Sequence, residues 1–347
     1  LLWSFDRKHP HEAFALGFFS GFIAYGIIIW WVKVAMVNFG GLAPWLAWFV
    51  TALLAAYMAL YIGLFGYFLV RLFPNGGFPR LMLAAPLWVT LELVRVYVLS
   101  GFPWALIGYS QYRVLPVVQI ADLVGVYGIS FFILAVNASI WHFFRYPRKA
   151  PFVVVGGIAG LAAIVVGYGY LRLFEVPAEA GPKIRSVGIV QGNTDQFIKW
   201  NPESREAIVN NHEELTMALS EKFRKEQHSD PPLIVWPEAA APLFFDEEPY
   251  WQKRMSEIAR RSEAYLLFGA LRVDRSNLSP KFFNSAYLLG PDGSDVGRYD
   301  KIHLVPFGEY VPLGTLLFFV KKIVPILGAT VPGEEAKVFH IPGGSFG

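Results

Sequence analysis

Hydrophobic positions follow two different rules in the two halves of this chain. In residues 1–173 they form long unbroken runs: Ala13–Val32, Pro44–Val70, Leu81–Leu99, Val117–Phe144 and Pro151–Leu171. A helix rises 1.5 Å per residue, so about 20 apolar residues cross the ~30 Å hydrocarbon core of a bilayer. The runs therefore predict a bundle of five membrane-spanning helices over residues 1–173. Only two of them carry charge: Glu92 and Arg95 in the third, Asp122 in the fourth.

From residue 184 onward the runs shorten and begin to alternate. Ile184–Val190, Leu233–Trp236, Tyr265–Leu271, Asn284–Leu289 and Lys337–Ile341 read as strands. Glu203–Gln227 and Tyr250–Ser262 space their apolar residues as helices do, and Thr315–Val324 predicts a further short helix. Pro291-Asp-Gly293 marks a turn, and Lys301–Pro312 reads as a loop stiffened by Pro and Gly. Strands alternating with helices predict an α/β domain over 184–347.

Charge sharpens this division. Of 347 residues 54% are hydrophobic and 16% charged, against about 25% charged in an ordinary soluble domain. Residues 1–173 hold 11 basic and 4 acidic side chains, whereas residues 174–347 hold 19 and 23. Arg7, Lys8, Arg71, Arg80, Arg145, Arg148 and Lys149 flank one set of loops, and only Lys33 and Arg113 the other. Positive loops stay in the cytoplasm. Five crossings then put the α/β domain on the far side, the periplasm of a bacterium. The soluble half mixes its bases with more numerous acids, which argues against nucleic acid.

Some chemistry is excluded. There is no cysteine, so the chain holds no disulfide, thiolate metal site or thiol nucleophile of its own. The seven histidines are scattered and no phosphate-binding loop is present, so neither a metal nor a cofactor is expected. Within the spans, Glu92 and Arg95 lie three apart on one helix face. They are read either as pairing with each other or as holding a lipid head or substrate. Asp122 is expected at an interface or helix N-cap. The uncharged aromatic stretch Ser100–Gln111 is either an interfacial belt or part of a lipid-facing mouth.

Three stretches of the soluble half are candidates for chemistry. In Leu233-Ile-Val-Trp-Pro-Glu238 a carboxylate ends a buried strand, where open α/β sheets place their sites. Glu238 can act there as a base, or simply be solvated or cap a helix. Lys301, in Tyr299-Asp-Lys301, opens a proline-stiffened loop that also holds Glu309. The lysine can stabilise an oxyanion and the glutamate can sit on a lid, or both can be surface. Val190-Gln-Gly-Asn193 precedes Lys199-Trp200, whose indole can pack on acyl chains or belong to the core.

Together these pieces resemble the nitrilase (carbon–nitrogen hydrolase) superfamily. With five spans in front, they resemble its apolipoprotein N-acyltransferase family in particular. The matching residues are Gly101-Phe-Pro-Trp104 with Gly108–Gln111, Val190–Asn193 with Lys199-Trp200, Val235–Glu238, Asn284-Ser-Ala286, and Tyr299–Lys301 with His303–Pro312. The resemblance covers most of the chain, and the last run is its most specific part. It implies an α-β-β-α sandwich following a helical membrane bundle. By match of motif, Glu238 resembles the general base, Lys301 the oxyanion-stabilising lysine and Glu309 a further carboxylate of the site. Trp200 and Asn284 fall on positions that shape the substrate site.

The implied activity is transfer of an acyl chain from a phospholipid to the N-terminal amine of a diacylglyceryl-cysteine lipoprotein through a thioester. Phosphatidylethanolamine is the implied donor, and no metal or cofactor is needed. The implied location is the bacterial inner membrane. The family's triad also has a cysteine, at a strand end beyond the lysine; here that position is expected just past Gly347. Both ends of the chain look cut. The alternatives are a membrane-tethered amidase or nitrilase, a cysteine-free binding protein, and a transporter with an extracytoplasmic domain.

Overall fold

The apolar runs of the first half form helices because backbone groups in hydrocarbon must be satisfied within the segment. In a computed structural model, residues 1–147, 151–175, 186–226, 230–276, 279–305, 308–310, 330–342 and 344–347 are described. The chain divides into two compact units, Leu1–Ala178 and Glu179–Gly347.

The first unit contains α1 (Pro10–Ile28), α2 (Val32–Asn38), α3 (Pro44–Leu72), α4 (Gly77–Tyr97), α5 (Leu115–Val118), α6 (Ala121–Arg145) and α7 (Pro151–Phe174). Among the described residues five helices, all but α2 and α5, are long and apolar enough to cross a membrane. Small residues bring α1 against α3: a Cβ on Gly17 would stand 3.1 Å from the Gly63 Cα. Such close approach is how helices pack where no hydrophobic force distinguishes neighbour from lipid.

Two of the apolar runs are interrupted. The first run breaks before Trp30-Trp31 and resumes as α2, and the run from Val117 is split between α5 and α6. Apolarity alone does not mark these breaks, since the residues are equally hydrophobic on both sides. Within α6, Gly125 has φ 62°, which a side chain would resist.

Two expectations about charge are corrected. Among the described residues no ion pair joins Glu92 to Arg95. Arg95 Nη1 instead donates to Tyr25 Oη at 2.9 Å on α1, and Glu92 Oε1 accepts from the Ile107 N–H at 2.9 Å. Asp122 is not an N-cap. It lies in the first turn of α6 and accepts from Tyr168 Oη at 2.7 Å and Arg172 Nε at 3.0 Å, both on α7. In each case a partner distant in sequence displaces the local one.

A second cluster closes the other end of the unit. Asp6 accepts from Arg80 at 3.2 Å, Arg145 at 3.0 Å and the Trp141 indole at 3.4 Å. The remaining Arg80 donors reach the carbonyls of Phe73 and Pro74.

The second unit is a mixed sheet with helices on one face. Its strands are β1 (Val187–Ile189), β2 (Leu233–Val235), β3 (Ala241–Phe244), β4 (Tyr265–Asp274), β5 (Lys281–Leu289) and β6 (Asp295–Asp300). Their order is β1-β2-β4-β5-β6, with β3 also paired to β4. The pairs β1–β2 and β2–β4 are parallel; β4–β5 and β5–β6 are antiparallel. The helices are α8 (Gln196–Lys199), α9 (Arg205–Lys225) and α10 (Pro249–Ser262).

Alternation along each strand sorts the core into two faces. Ile234, Leu266, Phe268, Tyr287 and Leu289 pack with Val209 of α9 and Met255 and Ile258 of α10. Leu233 and Leu288 turn the other way and meet Phe339 and Ile341 of β7 (Phe339–Ile341). That strand pairs antiparallel with β8 (Gly344–Phe346). A helical layer, a mixed sheet and a second small sheet thus stack in order, in keeping with the nitrilase-like α/β class. The strands β3 and β6 are too short or too polar to have announced themselves. The predicted helix Thr315–Val324 and the first residues of the strand predicted from Ile184 lie outside the described residues.

Candidate active site

Parallel strands put their C-terminal ends on one edge, and the segment leaving β2 turns sharply there. Trp236 N–H still pairs with the Leu267 carbonyl at 2.8 Å, and its indole donates to Thr216 Oγ1 at 2.8 Å inside the core. His212 lies against the same indole, with ring centroids 4.9 Å apart. This anchored tryptophan fixes where Pro237 and Glu238 emerge. Ala239 completes the turn at φ 47°. The turn rests on β4 at Gly269, where a Cβ would stand 2.9 Å from the Glu238 Cα. Only glycine allows that approach.

Three other segments bring side chains to Glu238. Asn284 stands on β5, in register with Leu271 of β4, and its Nδ2 donates to Glu238 Oε1 and, at 3.0 Å, to Glu309 Oε1. Lys301 follows β6, and its backbone N–H donates to the Asn284 carbonyl at 2.8 Å. Its ammonium reaches Glu238 Oε1 at 3.2 Å and Glu309 Oε2 at 3.0 Å. Glu309 Oε2 also accepts from the Val305 N–H at 2.7 Å. Glu238, Asn284, Lys301 and Glu309 therefore form one hydrogen-bonded group, although up to 71 positions separate them in the chain.

Electrostatics favour the charged forms of Lys301 and Glu309. Burial alone would lower the Lys301 pKa, but the carboxylates of Glu309 and Glu238 outweigh it and hold it above the ordinary lysine value. Burial likewise opposes ionisation of Glu309. Hydrogen bonds from Asn284, Val305 and Lys301 prevail and hold its pKa below the ordinary carboxylate value.

Glu238 follows the buried strand but is itself open to solvent. Its side chain is 64% exposed, because it stands past the strand on the open edge of the sheet, whereas Glu309 is 17% exposed. Among the described residues Glu238 Oε2 accepts no hydrogen bond, whereas Oε1 accepts from Asn284 and Lys301. Lys301 offers three N–H bonds, two of which the carboxylates occupy. The third has no partner among the described residues.

Trp200 stands apart. It caps the C-terminal end of α8, is exposed, and among the described residues makes no hydrogen bond to the four residues above. Its neighbour Lys199 does reach the group, donating to the Glu238 carbonyl at 3.1 Å. Burial lowers the Lys199 pKa, against the pull of the Glu238 charge. Lys199 was legible only as part of a motif, since its reach to a carbonyl 39 positions away has no sequence signal. A second overlooked feature is the spacing G-x-S-x-G at Gly343–Gly347. Ser345 stands on the β8 strand of a hairpin, not on a strand-to-helix turn, so this is no nucleophile elbow; its Oγ lies 2.8 Å from His340 Nδ1. Among the described residues no group of three or more His, Cys, Asp or Glu is arranged to hold a metal ion.

Residues 1–139 match the family described as apolipoprotein N-acyltransferase N-terminal domain, and residues 186–347 match carbon-nitrogen hydrolase. An apolipoprotein N-acyltransferase of Geobacter metallireducens is 40% identical over 353 aligned positions, covering 100% of this chain and 66% of that relative. The chain belongs to the apolipoprotein N-acyltransferase family. The N-acyltransferase of Methylococcus capsulatus is 34% identical, over 91% of this chain and 60% of the relative. The chain thus spans 60–66% of the length of these two N-acyltransferases. An amidase of the nitrilase superfamily from Nesterenkonia superposes on 46% of this chain and 54% of its own, with a TM-score of 0.31 and 14% identity. As an N-acyltransferase family member with five membrane-length helices, the chain is a membrane protein.

Proposed function

We propose that this chain carries most of an enzyme that moves an acyl chain from a phospholipid to the N-terminal amine of a diacylglyceryl-cysteine lipoprotein. One observation supports it above others: a carboxylate, an ammonium group, an amide and a second carboxylate converge from four segments on the open edge of a sheet. Phosphatidylethanolamine is the donor we favour, and the inner membrane, with the sheet unit in the periplasm, is the location.

The nucleophile is a cysteine thiol from outside residues 1–347. In the first half-reaction Glu238 Oε2 takes the thiol proton, and sulfur bonds to the ester carbonyl carbon. The third N–H of Lys301 stabilises the oxyanion. The carbon–oxygen bond breaks, the glycerol oxygen takes the proton back from Glu238, and a lysophospholipid leaves. In the second half-reaction the lipoprotein amine attacks the thioester and yields a proton to Glu238. The carbon–sulfur bond breaks and the thiolate recovers that proton.

Glu309 touches no reacting atom in this scheme. It keeps Lys301 protonated and aimed, while Asn284 orients both carboxylates. Trp200 supplies an exposed indole for acyl chains beside the Lys199 anchor.

Glu238→Gln in the full-length enzyme tests this scheme. It should lower acyl transfer to a diacylglyceryl lipopeptide by at least about 100-fold, as expected for loss of a general base. Transfer at the wild-type rate would refute it. Hydrolysis of small amides, with no acyl chain appearing on the lipopeptide amine, would instead favour the amidase alternative.

A further inference from the structure

Trp88, Glu92 and Arg95 follow one another along α4 at spacings of four and three, so they form one stripe. Glu92 is 5% exposed and Arg95 1%. Each of these two spends one polar atom within the bundle, Glu92 Oε1 on Ile107 and Arg95 Nη1 on Tyr25. Glu92 Oε2, Arg95 Nη2 and Trp88 Nε1 are buried and, among the described residues, have no hydrogen-bond partner. All three side chains line one cavity beside Tyr25, Tyr61 and Ile62. Unpaired polar atoms at such depth are costly and rare, so three around one cavity define a binding site.

The shape of the site restricts its ligand. The cavity holds about 10 Å³, room for one oxygen-centred group. Tyr25, Ile62 and Trp88 are also walls of a second cavity of about 460 Å³, otherwise lined mostly by apolar residues such as Ala24, Ile28 and Leu106. That volume is ordinary for a small-molecule pocket.

The unpaired atoms restrict the ligand further. Two N–H donors and one carboxylate oxygen require a group that accepts twice and donates once. A hydroxyl does so. A carbonyl cannot donate to Glu92, and an ammonium cannot accept from Arg95. The charges of Glu92 and Arg95 offset each other, so the ligand head need carry none.

We propose that this crevice among α1, α3, α4 and the 105–110 segment binds a lysophospholipid, its free glycerol hydroxyl at Glu92, Arg95 and Trp88 and its hydrocarbon in the larger cavity. The inference rests on the acyl transfer proposed above, which releases such a lipid.

The test uses full-length protein in nanodiscs and a lysophospholipid with a photoreactive diazirine in its chain. A matched probe has hydrogen in place of the hydroxyl. The hydroxyl probe should label peptides containing Ala24–Ile28 and 105–110 about tenfold more than the deoxy probe, or 1.4 kcal/mol. Glu92→Leu and Arg95→Leu should abolish that difference. Should those variants fail to fold, Ala24→Phe fills the larger cavity from an exposed helix position and should abolish labelling there, while Phe152 and Val153 on α7 label as before.

Equal labelling by both probes would overturn the proposal, as would label spread evenly over the lipid-facing helices. Absence of label from the cavity peptides, the result if the site holds only water, would overturn it too. Labelling reads occupancy and not turnover. Repeating it on Glu238→Gln therefore separates failure of this site from failure of the acyl-transfer scheme.

Discussion

The clusters around Asp6 and around Glu238 use the same chemistry on opposite plans. Arg80 is wholly buried and Asp6 mostly so, and the Arg80 donors end on Asp6 and two backbone carbonyls. Glu238 and Lys301 meet at an open edge and each keeps an atom in reserve. A charge cluster with every valence occupied holds helices together. One with valence to spare can bind or react. The Glu92–Arg95 stripe is informative because it is enclosed like the first and unfilled like the second.

Substitution should separate the two plans, and the largest effect belongs to the closed one. Asp6→Ala leaves Arg80 buried without its carboxylate. It should destabilise the folded protein by about 3–5 kcal/mol, the cost of breaking a buried pair. Thermal unfolding in detergent measures this, and an unchanged midpoint would show that the backbone carbonyls suffice for Arg80.

Lys301→Ala should do the reverse, with a small change in melting and a rate about 10²–10³ lower, or 2.7–4 kcal/mol, as for loss of an oxyanion donor. A variant that melts early and loses activity only in proportion would place Lys301 with Asp6 among structural groups. Lys199→Ala removes the hydrogen bond to the Glu238 carbonyl. The turn should loosen and transfer fall about tenfold, or 1.4 kcal/mol.

The smallest effect sharpens the comparison through pH. The Glu309 pKa lies below its usual value in the folded protein, so its contribution is present above about pH 4.3, the unfolded carboxylate value, and is lost as pH falls through the folded pKa. The Lys301 pKa is raised, so its contribution is present below about pH 10.4 and is lost as pH rises through the folded pKa. Glu309→Gln should therefore cost roughly 1 kcal/mol between these limits, as for a strong partly exposed pair. Melting curves of both proteins should converge in acid, and a gap that persists at pH 2 would mean that Glu309 acts through shape and not charge.

Much of this architecture was legible from local pattern. Apolar runs of membrane length became helices, and alternation in Tyr265–Leu271 and Asn284–Leu289 marked the two central strands, each of which continues beyond its predicted limit. Glu238 and Lys301 stood out because a carboxylate after a buried strand and a lysine before a stiff loop are unusual for surface. Other features had no local sign. Glu92 and Arg95 are well spaced to pair, yet Ile107 and Tyr25 take their places. Gly269 looks like any strand glycine until the 237–239 turn is laid on it.

By itself the amino-acid sequence determined which stretches leave water, which strands have two faces, and that this chain holds no thiol. Those are properties of neighbouring residues, set by transfer energies and backbone periodicity. Only the tertiary structure decided which polar atoms end with partners and which do not. That outcome depends on strand register and side-chain contact between segments far apart in the chain: Leu271 opposite Asn284 to bring an amide to Glu238, and Tyr25 of α1 within reach of Arg95 on α4 to give it one partner and leave its other nitrogen unspent.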